Sequence, residues 1–221
     1  MTNPPCKIYL GFGICILEFS RMDVILSKGR VDVQECDVLV TGIFKDERPL
    51  KGSSGWIDWR FNGMLSRFLM DKKLSGDWKE TTLIPSQGRL LPRMVLLLGL
   101  GEVKDYSYLR LRELSSHLLE TLKKLDAIHV CLSFPYQEST HVDCGKLAEV
   151  LIEGIADCLD LREYPFNEEW IKNLRLVFAE GEGNFFELLL GIQTAKSLLE
   201  NRIQIRILAP TEEPSDPSFG S

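Results

Sequence analysis

The sequence has few of the features that mark a metal site or a nucleophilic enzyme. Among its 221 residues are three histidines and six cysteines, and no two cysteines form a C-x-x-C pair. Thiolate zinc sites are commonly built on such pairs, so a site of this kind is disfavoured. Neither a G-x-S-x-G nor an H-E-x-x-H motif occurs, which leaves no nucleophile elbow and no zincin signature. We therefore predict no catalytic residue, no metal ligand and no cofactor.

Long apolar runs are also missing. No run approaches the roughly 20 residues that span a bilayer. Residues 8–19, IYLGFGICILEF, could be a signal peptide or a strand. Only Lys7 precedes them as a close positive charge, Glu18 interrupts them, and no A-x-A site follows, so we interpret them as a strand. We expect a cytoplasmic protein with no membrane partner, in which the cysteines are reduced and mostly buried.

Positive charge is in deficit. The chain has 26 Lys and Arg against 32 Asp and Glu, for a formal net charge of -6. An acidic surface repels phosphate backbones, so generic binding of nucleic acid is disfavoured. The content of hydrophobic residues, 44%, is typical of a globular protein with its own core.

Hydrophobic periodicity alternates along the chain between strand and helix patterns. We predict strands over residues 37–44, 81–86, 93–100, 128–134 and 173–179, the second and third joined as a hairpin. Helical spacing links Ile57 to Leu69, Leu111 to Leu125, and Leu147 to Cys158. A last helix would be capped by Asn184, with Glu187 reaching back to the cap amide.

This alternation is typical of an α/β fold. We predict one domain over residues 1–208, with three α/β/α layers around a mixed central sheet. The remaining residues 209–221, APTEEPSDPSFGS, are polar and rich in proline. We expect them to form a disordered tail.

Two glycine-rich stretches could contact an anion. The first, Gly99-Leu100-Gly101-Glu102, follows an apolar strand and precedes a helix, as a phosphate-binding turn does. It lacks the third glycine of G-x-G-x-x-G, and Glu102 places negative charge where phosphate would lie. The alternative, which we favour, is that the glycines let the chain leave the sheet sharply.

The second stretch is LKGSSGWID, residues 50–58. Gly52, Ser53, Ser54 and Gly55 stand at a helix start, where exposed amides and the helix dipole favour an anion, and Lys51 adds charge. The alternative is a flexible loop whose serine caps the helix. Trp56 could stack on a planar ligand, although packing is the more common role of such a residue.

The order of the motifs resembles the N-terminal domain of the leucyl (cytosol) aminopeptidase family. The shared order is TTLIPSQGRLLPRMVLLLGLGE, a helix ending in ETLKKL, the strand AIHVCLSF, and the helix FFELLLGIQTAKSLLEN. In that family a C-terminal domain hydrolyses peptides with two metal ions, partly through an Asn-Thr-Asp-Ala-Glu-Gly-Arg motif that does not occur here. The resemblance therefore implies a stand-alone, non-catalytic domain. Its role would be protein association or regulation, as a homo-oligomer or with a separately encoded catalytic chain.

The family's N-terminal domain also resembles macro domains, which bind ADP-ribose. The segment DVLVTGIFKDERPLKGSSGWID is similar to the macro-domain order of an Asp-led strand followed by a Gly-rich loop and a helix. By that resemblance Asp37 would approach adenine, and Gly52 to Gly55 the diphosphate. The alternative function is therefore a macro-like binder of a nucleotide, an ADP-ribose-type ligand or another small anion. Its candidate ligand-binding residues are Asp37, Gly52, Ser53, Ser54, Gly55, Gly99 and Gly101.

Overall fold

The computed structural model describes residues 20–136, 140–160 and 168–208. The strand predicted over 8–19 and the tail predicted over 209–221 lie outside the described residues. So do Cys6 and Cys15, whereas the other four cysteines are buried and free.

The described residues build one mixed sheet. Its seven strands are β1 (Ser20–Lys28), β2 (Val38–Ile43), β3 (Thr81–Pro85), β4 (Met94–Gly99), β5 (His129–Ser133), β6 (Arg175–Glu180) and β7 (Ile203–Leu208). They lie in the order β3-β4-β2-β5-β6-β1-β7. Only the β3–β4 pair of these is antiparallel, as predicted for the hairpin.

Helices cover both faces of the sheet, which confirms the predicted three-layer α/β/α fold. They are α1 (Gly52–Arg60), α2 (Met64–Met70), α3 (Tyr108–Lys124), α4 (Cys144–Asp160), α5 (Glu168–Asn173) and α6 (Glu182–Leu198). Leu118, Leu151 and Ile192 bring α3, α4 and α6 into one buried cluster with alternate strand residues. Ile57 and Leu65 bring α1 and α2 into a second cluster on the opposite face.

The predicted helix from Ile57 to Leu69 is wrong, because it is two helices. Asn62 and Gly63 have φ angles of 54° and 72°, and a right-handed helix cannot continue through them. The buried Asp58 then accepts hydrogen bonds from the amides of Leu65 (2.8 Å) and Ser66 (3.2 Å) at the start of α2. The apolar spacing runs unbroken through the sequence because both helices pack on the same cluster.

The predicted cap of the last helix is also wrong. The helix begins at Glu182, and its N-cap residue Gly181 makes no side-chain cap bond. Asn184 donates instead to the hydroxyl of Tyr136 (3.1 Å). Glu187 accepts from the amides of Cys144 (3.0 Å) and Gly145 (3.4 Å), so it caps α4 rather than its own helix. The spacing of a capping box is present, but tertiary contacts take both side chains.

The elements predicted above do not include β1, α5 or β7. In β7, buried Ile203 and Ile205 alternate with exposed Gln204 and Arg206, a two-residue period that could have located the strand. Among the helices of the described residues, none combines the length and apolarity that a bilayer crossing requires.

Candidate functional site

A cavity of about 510 Å³ opens at the carboxyl ends of the parallel strands. Thr41 and Gly42 of β2, Ser133 of β5, and Ala179 and Glu180 of β6 line it. The chain leaves β2 toward β4 and leaves β5 toward β6 in the sheet order. Connections that diverge in this way leave a crevice between the two strands, and ligands of α/β proteins commonly bind there.

The first turn of α1 forms one wall of the cavity. Gly52, Ser53 and Ser54 line it, together with Lys51. Lys51 is the N-cap residue and makes no side-chain cap bond. The Ser54 hydroxyl donates to the Lys51 carbonyl (2.9 Å), and Ser53 shares a hydrogen bond with Ser133 (2.5 Å). Neither serine therefore caps the helix, and the positive end of the helix dipole meets the cavity without a side-chain acceptor.

A second wall is the Arg30–Asp32 pair. Arg30 donates from Nε and Nη2 to the two carboxylate oxygens of Asp32, at 2.9 and 2.7 Å. Arg60 donates to the same carboxylate at 3.1 Å. Burial raises the pKa of Asp32, but the two guanidinium groups outweigh burial and hold that pKa below its ordinary value of 3.8. Arg30 also lies over the ring of Trp56, with Cζ 4.2 Å from the ring centroid.

A third wall carries a hydrogen-bonded chain of polar side chains. The Tyr136 hydroxyl donates to Glu180 (2.6 Å) and accepts from Asn184 (3.1 Å). Burial is the main cause that raises the pKa of Glu180 above its ordinary value, and the Tyr136 bond opposes it only in part. A carboxyl group whose pKa is perturbed by desolvation inside a cleft is typical of a functional site.

Three of the predicted ligand residues meet in this cavity, namely Gly52, Ser53 and Ser54. Gly55 lies one residue further along α1 and is not among the lining residues. A Cβ on Gly55 would approach the Leu50 carbonyl oxygen to 2.6 Å, so this glycine is in close contact with the preceding loop.

The structure does not bring the other predicted residues to the cavity. Asp37 precedes β2 and therefore lies at the amino end of that strand, where it accepts a hydrogen bond from the amide of His129 (3.0 Å). The cavity is at the opposite, carboxyl end of the strand. Gly99 and Gly101 contact the segment before β3, through the Gly101 amide and the Gly76 carbonyl (2.9 Å) among others.

The cavity also contains residues that no motif indicated. They are Arg30, Asp32, Tyr136, Glu180 and Asn184. All five follow or end a parallel strand: β1 for the first two, β5 for Tyr136, and β6 for the last two. Carboxyl ends of parallel strands meet at one edge of the sheet. A correct prediction of β1, β5 and β6 would therefore have placed these residues together.

Comparison with known proteins defines the family to which this chain belongs. The model of the cytosol aminopeptidase family, N-terminal domain, matches residues 40–166. That match covers more than half of the 221 residues, so the chain belongs to the cytosol aminopeptidase family. The part of the family that it matches is the N-terminal domain.

The sequence relatives are longer proteins. The probable cytosol aminopeptidase of Alkaliphilus metalliredigens is 23% identical over 80% of this chain and 38% of its own length. That of Alkaliphilus oremlandii is 24% identical over 88% of this chain and 39% of its own length. The chain thus spans about two fifths of the length of these curated relatives.

Solved structures share the fold. A mutant of tomato leucine aminopeptidase matches with a TM-score of 0.58 and 13% identity, over 82% of this chain and 38% of that one. The Trypanosoma brucei macrodomain matches with a TM-score of 0.57 and 15% identity, over 76% of this chain and 66% of that one. A mutant of the Oceanobacillus iheyensis macrodomain matches with a TM-score of 0.55 and 14% identity, over 80% of this chain and 92% of that one. The chain therefore has the fold common to macrodomains and to part of the aminopeptidase.

Proposed function

We propose that this domain binds a small anionic ligand of the nucleotide type in the cavity at the carboxyl edge of the sheet. The first turn of α1 carries the proposal, because Gly52 to Ser54 line the cavity without a side-chain cap. Helix amides in this position bind phosphate oxygens well. The Trypanosoma brucei macrodomain, which has this fold, has been solved in complex with ADP, and that structure matches with a TM-score of 0.53.

The charges of the cavity suit a ligand that is anionic at one end rather than along its whole length. Lys51 pairs with Glu47 (3.3 Å) and Arg30 with Asp32, so each cation stands beside a carboxylate. Glu180 is a further carboxyl group of the cavity, and burial raises its pKa above the ordinary value. We place the phosphates at the start of α1 and the rest of the ligand toward Trp56, which is 51% exposed.

Replacing Gly52 with Glu tests this placement. The new carboxylate would stand at the helix start, and we expect the Kd for ADP-ribose, ADP and GDP to rise at least tenfold through like-charge repulsion, worth ~1.4 kcal/mol. Titration calorimetry of the wild type and the variant would measure the change.

The matched control is Gly88→Glu. Gly52 and Gly88 both have positive φ, at 53° and 74°, and a Cβ would meet nothing within 4 Å at either. The control therefore carries the same backbone strain outside the cavity and should bind as the wild type does. An absence of heat with all three nucleotides at millimolar concentration would remove the proposal.

A second candidate function is association of two copies of the domain, and the outward side of α6 favours it. Phe186, Leu190 and Leu198 on this side are 74%, 64% and 60% exposed, whereas Leu188 and Ile192 on the inward side are buried. A helix that is apolar on both sides is typically packed on both sides. The role would be non-catalytic and cytoplasmic.

Phe186, Leu190 and Leu198 form an apolar stripe on α6, and their spacing suits a second copy of the chain. Phe186 and Leu198 stand six residues on either side of Ile192. A two-fold axis that crosses α6 near Ile192 would place Phe186 of each copy against Leu198 of the other, as a self-complementary interface requires. A separate catalytic chain is the competing occupant.

Substituting Leu190 with Asp tests the dimer. A charge at the centre of the stripe would be buried without a partner, and we expect a dimer in the wild type to become a monomer in the variant. Sedimentation equilibrium would measure the mass. Leu109→Asp is the control, because Leu109 is 67% exposed on α3 and should leave the dimer intact. A monomeric wild type at about 100 μM, a concentration at which even a weak dimer of ~10 μM Kd forms, would refute self-association.

A further inference from the structure

Hydrogen bonds along one edge of the Arg30 guanidinium group fix its orientation. Its Nε and Nη2 groups donate to the two oxygens of Asp32, a carboxylate that is only 3% exposed as a residue. Arg60 donates to the same carboxylate and restrains it further. Such a bidentate pair sets the orientation of the guanidinium plane.

The other edge of Arg30 is available to a ligand. One N–H of Nη1 and the second N–H of Nη2 point in parallel from this end of the group. Within residues 20–136, 140–160 and 168–208, no hydrogen-bond acceptor contacts Nη1. Arg30 lines the cavity with a side chain that is 47% exposed. The free edge is therefore a two-donor fork whose geometry suits a ligand with two acceptors held side by side.

The surroundings of this fork favour a flat partner. The carboxylate of Asp32 offsets the charge of one of the two arginines bonded to it, and its bidentate contact with Arg30 fixes the direction of the remaining donors. Arg30 also lies over the Trp56 ring, at 4.2 Å from Cζ to the centroid. A planar group that bonds to the fork lies in line with the guanidinium group. It is therefore close to the Trp56 indole, which also lines the cavity. The anionic end of the ligand has its own place at the start of α1.

Among purine bases, the side-by-side acceptors O6 and N7 belong to 6-oxopurines, that is, to guanine and hypoxanthine. Adenine presents an amino group in place of O6, and this donor would oppose an arginine N–H. We propose that Arg30 reads the O6/N7 edge of a 6-oxopurine, so that the site selects guanine-type nucleotides over adenine nucleotides. Asp32 is the positioning residue of this contact. The inference rests on the proposed binding of a nucleotide in this cavity.

Binding of GDP, IDP and ADP by calorimetry tests the selection. In the wild type we expect GDP and IDP to bind at least tenfold more tightly than ADP, since a good bidentate contact discriminates bases by about that factor or more. In Arg30→Lys, which keeps the charge and loses the fork, the Kd values of GDP and ADP should agree within about threefold. Arg30→Gln serves as a second variant with the same expectation, and thermal unfolding establishes that both variants are folded.

The matched control is Arg67→Lys. Arg67 donates to the Asn62 carbonyl (2.7 Å), has no bond to Asp32 and is not among the residues that line the cavity, so the preference for GDP should remain. Wild-type protein that binds ADP as tightly as GDP would overturn the inference and leave the nucleotide site in place. Pyrophosphate that competes with GDP in the wild type but not in Arg30→Lys would assign the fork to phosphate and also overturn it. If none of these three nucleotides binds but ADP-ribose does, this inference fails alone. If ADP-ribose does not bind either, the proposed function fails and this inference fails with it.

Discussion

Gly99→Ala is expected to lower the free energy of unfolding by about 3 kcal/mol, the upper part of the usual range for overpacking. A Cβ on Gly99 would lie 1.8 Å from the carbonyl oxygen of Asp77 and 2.9 Å from the carbonyl carbon of Gly76. Both are backbone atoms, so no side-chain rotation relieves the clash. Moving the segment away would break the bond from the Gly101 amide to the Gly76 carbonyl (2.9 Å). Urea unfolding followed by circular dichroism would measure the loss.

Gly183→Ala is the control for this substitution. Gly183 is exposed in the first turn of α6, and a Cβ there would meet nothing within 4 Å. We expect a change of less than ~0.5 kcal/mol, or a small gain from helix propensity. Folded Gly99→Ala should bind nucleotide as the wild type does. Unchanged stability together with lost binding would contradict the packing role of Gly99 and support a role in ligand binding.

Asp58→Ala is expected to cost about 2 kcal/mol, because it removes a buried acceptor shared by several donors. The Asp58 carboxylate accepts from the amides of Leu65 and Ser66 and from the Ser66 hydroxyl (2.5 Å). Without it, the first amides of α2 lose their cap, and the turn between α1 and α2 loses the side chain that joins them. Thermal and urea unfolding of the variant would measure the cost.

Asp71→Ala provides the comparison for Asp58. Asp71 is exposed at the other end of α2 and pairs with Lys73 at the surface (3.4 Å). An exposed pair of this kind contributes little, so we expect a change within ~0.5 kcal/mol. Asp58→Asn should lose less than Asp58→Ala, since the amide oxygen still accepts one bond. Equal stability of Asp58→Ala and Asp71→Ala would show that α2 does not depend on this cap.

Periodicity predicted the central part of the sheet because its strands are buried on both faces. β2 has every residue buried, and β4 is buried except at Met94, so each reads as a short apolar run between polar segments. The same reasoning predicted α3 and α4, whose inward leucines recur at helical spacing. It did not separate α1 from α2, because a pattern of burial contains no information about the backbone angles of Asn62 and Gly63.

The candidate site was predicted only where a local motif contributed to it. Gly52 to Ser54 stand at a helix start that is legible in the sequence, and they line the cavity. Asp37 was assigned by its resemblance to a macro-domain strand, but it lies at the amino end of β2, whereas the cavity is at the carboxyl end. Arg30 and Glu180 are 150 positions apart and have no shared motif.

The fold class, the family and the anion-compatible start of α1 follow from the amino-acid sequence, because each depends on neighbours within one element or one short motif. Three features depend on contacts between distant elements: Glu187 caps α4, Asp32 joins Arg30 to Arg60, and Gly99 packs on the Gly76–Asp77 backbone. The physical reason is that a side chain bonds to the partner that the packed sheet and helices bring within hydrogen-bond distance. Neighbours in sequence are only some of the possible partners, and in each of these three places a distant residue is among the partners observed.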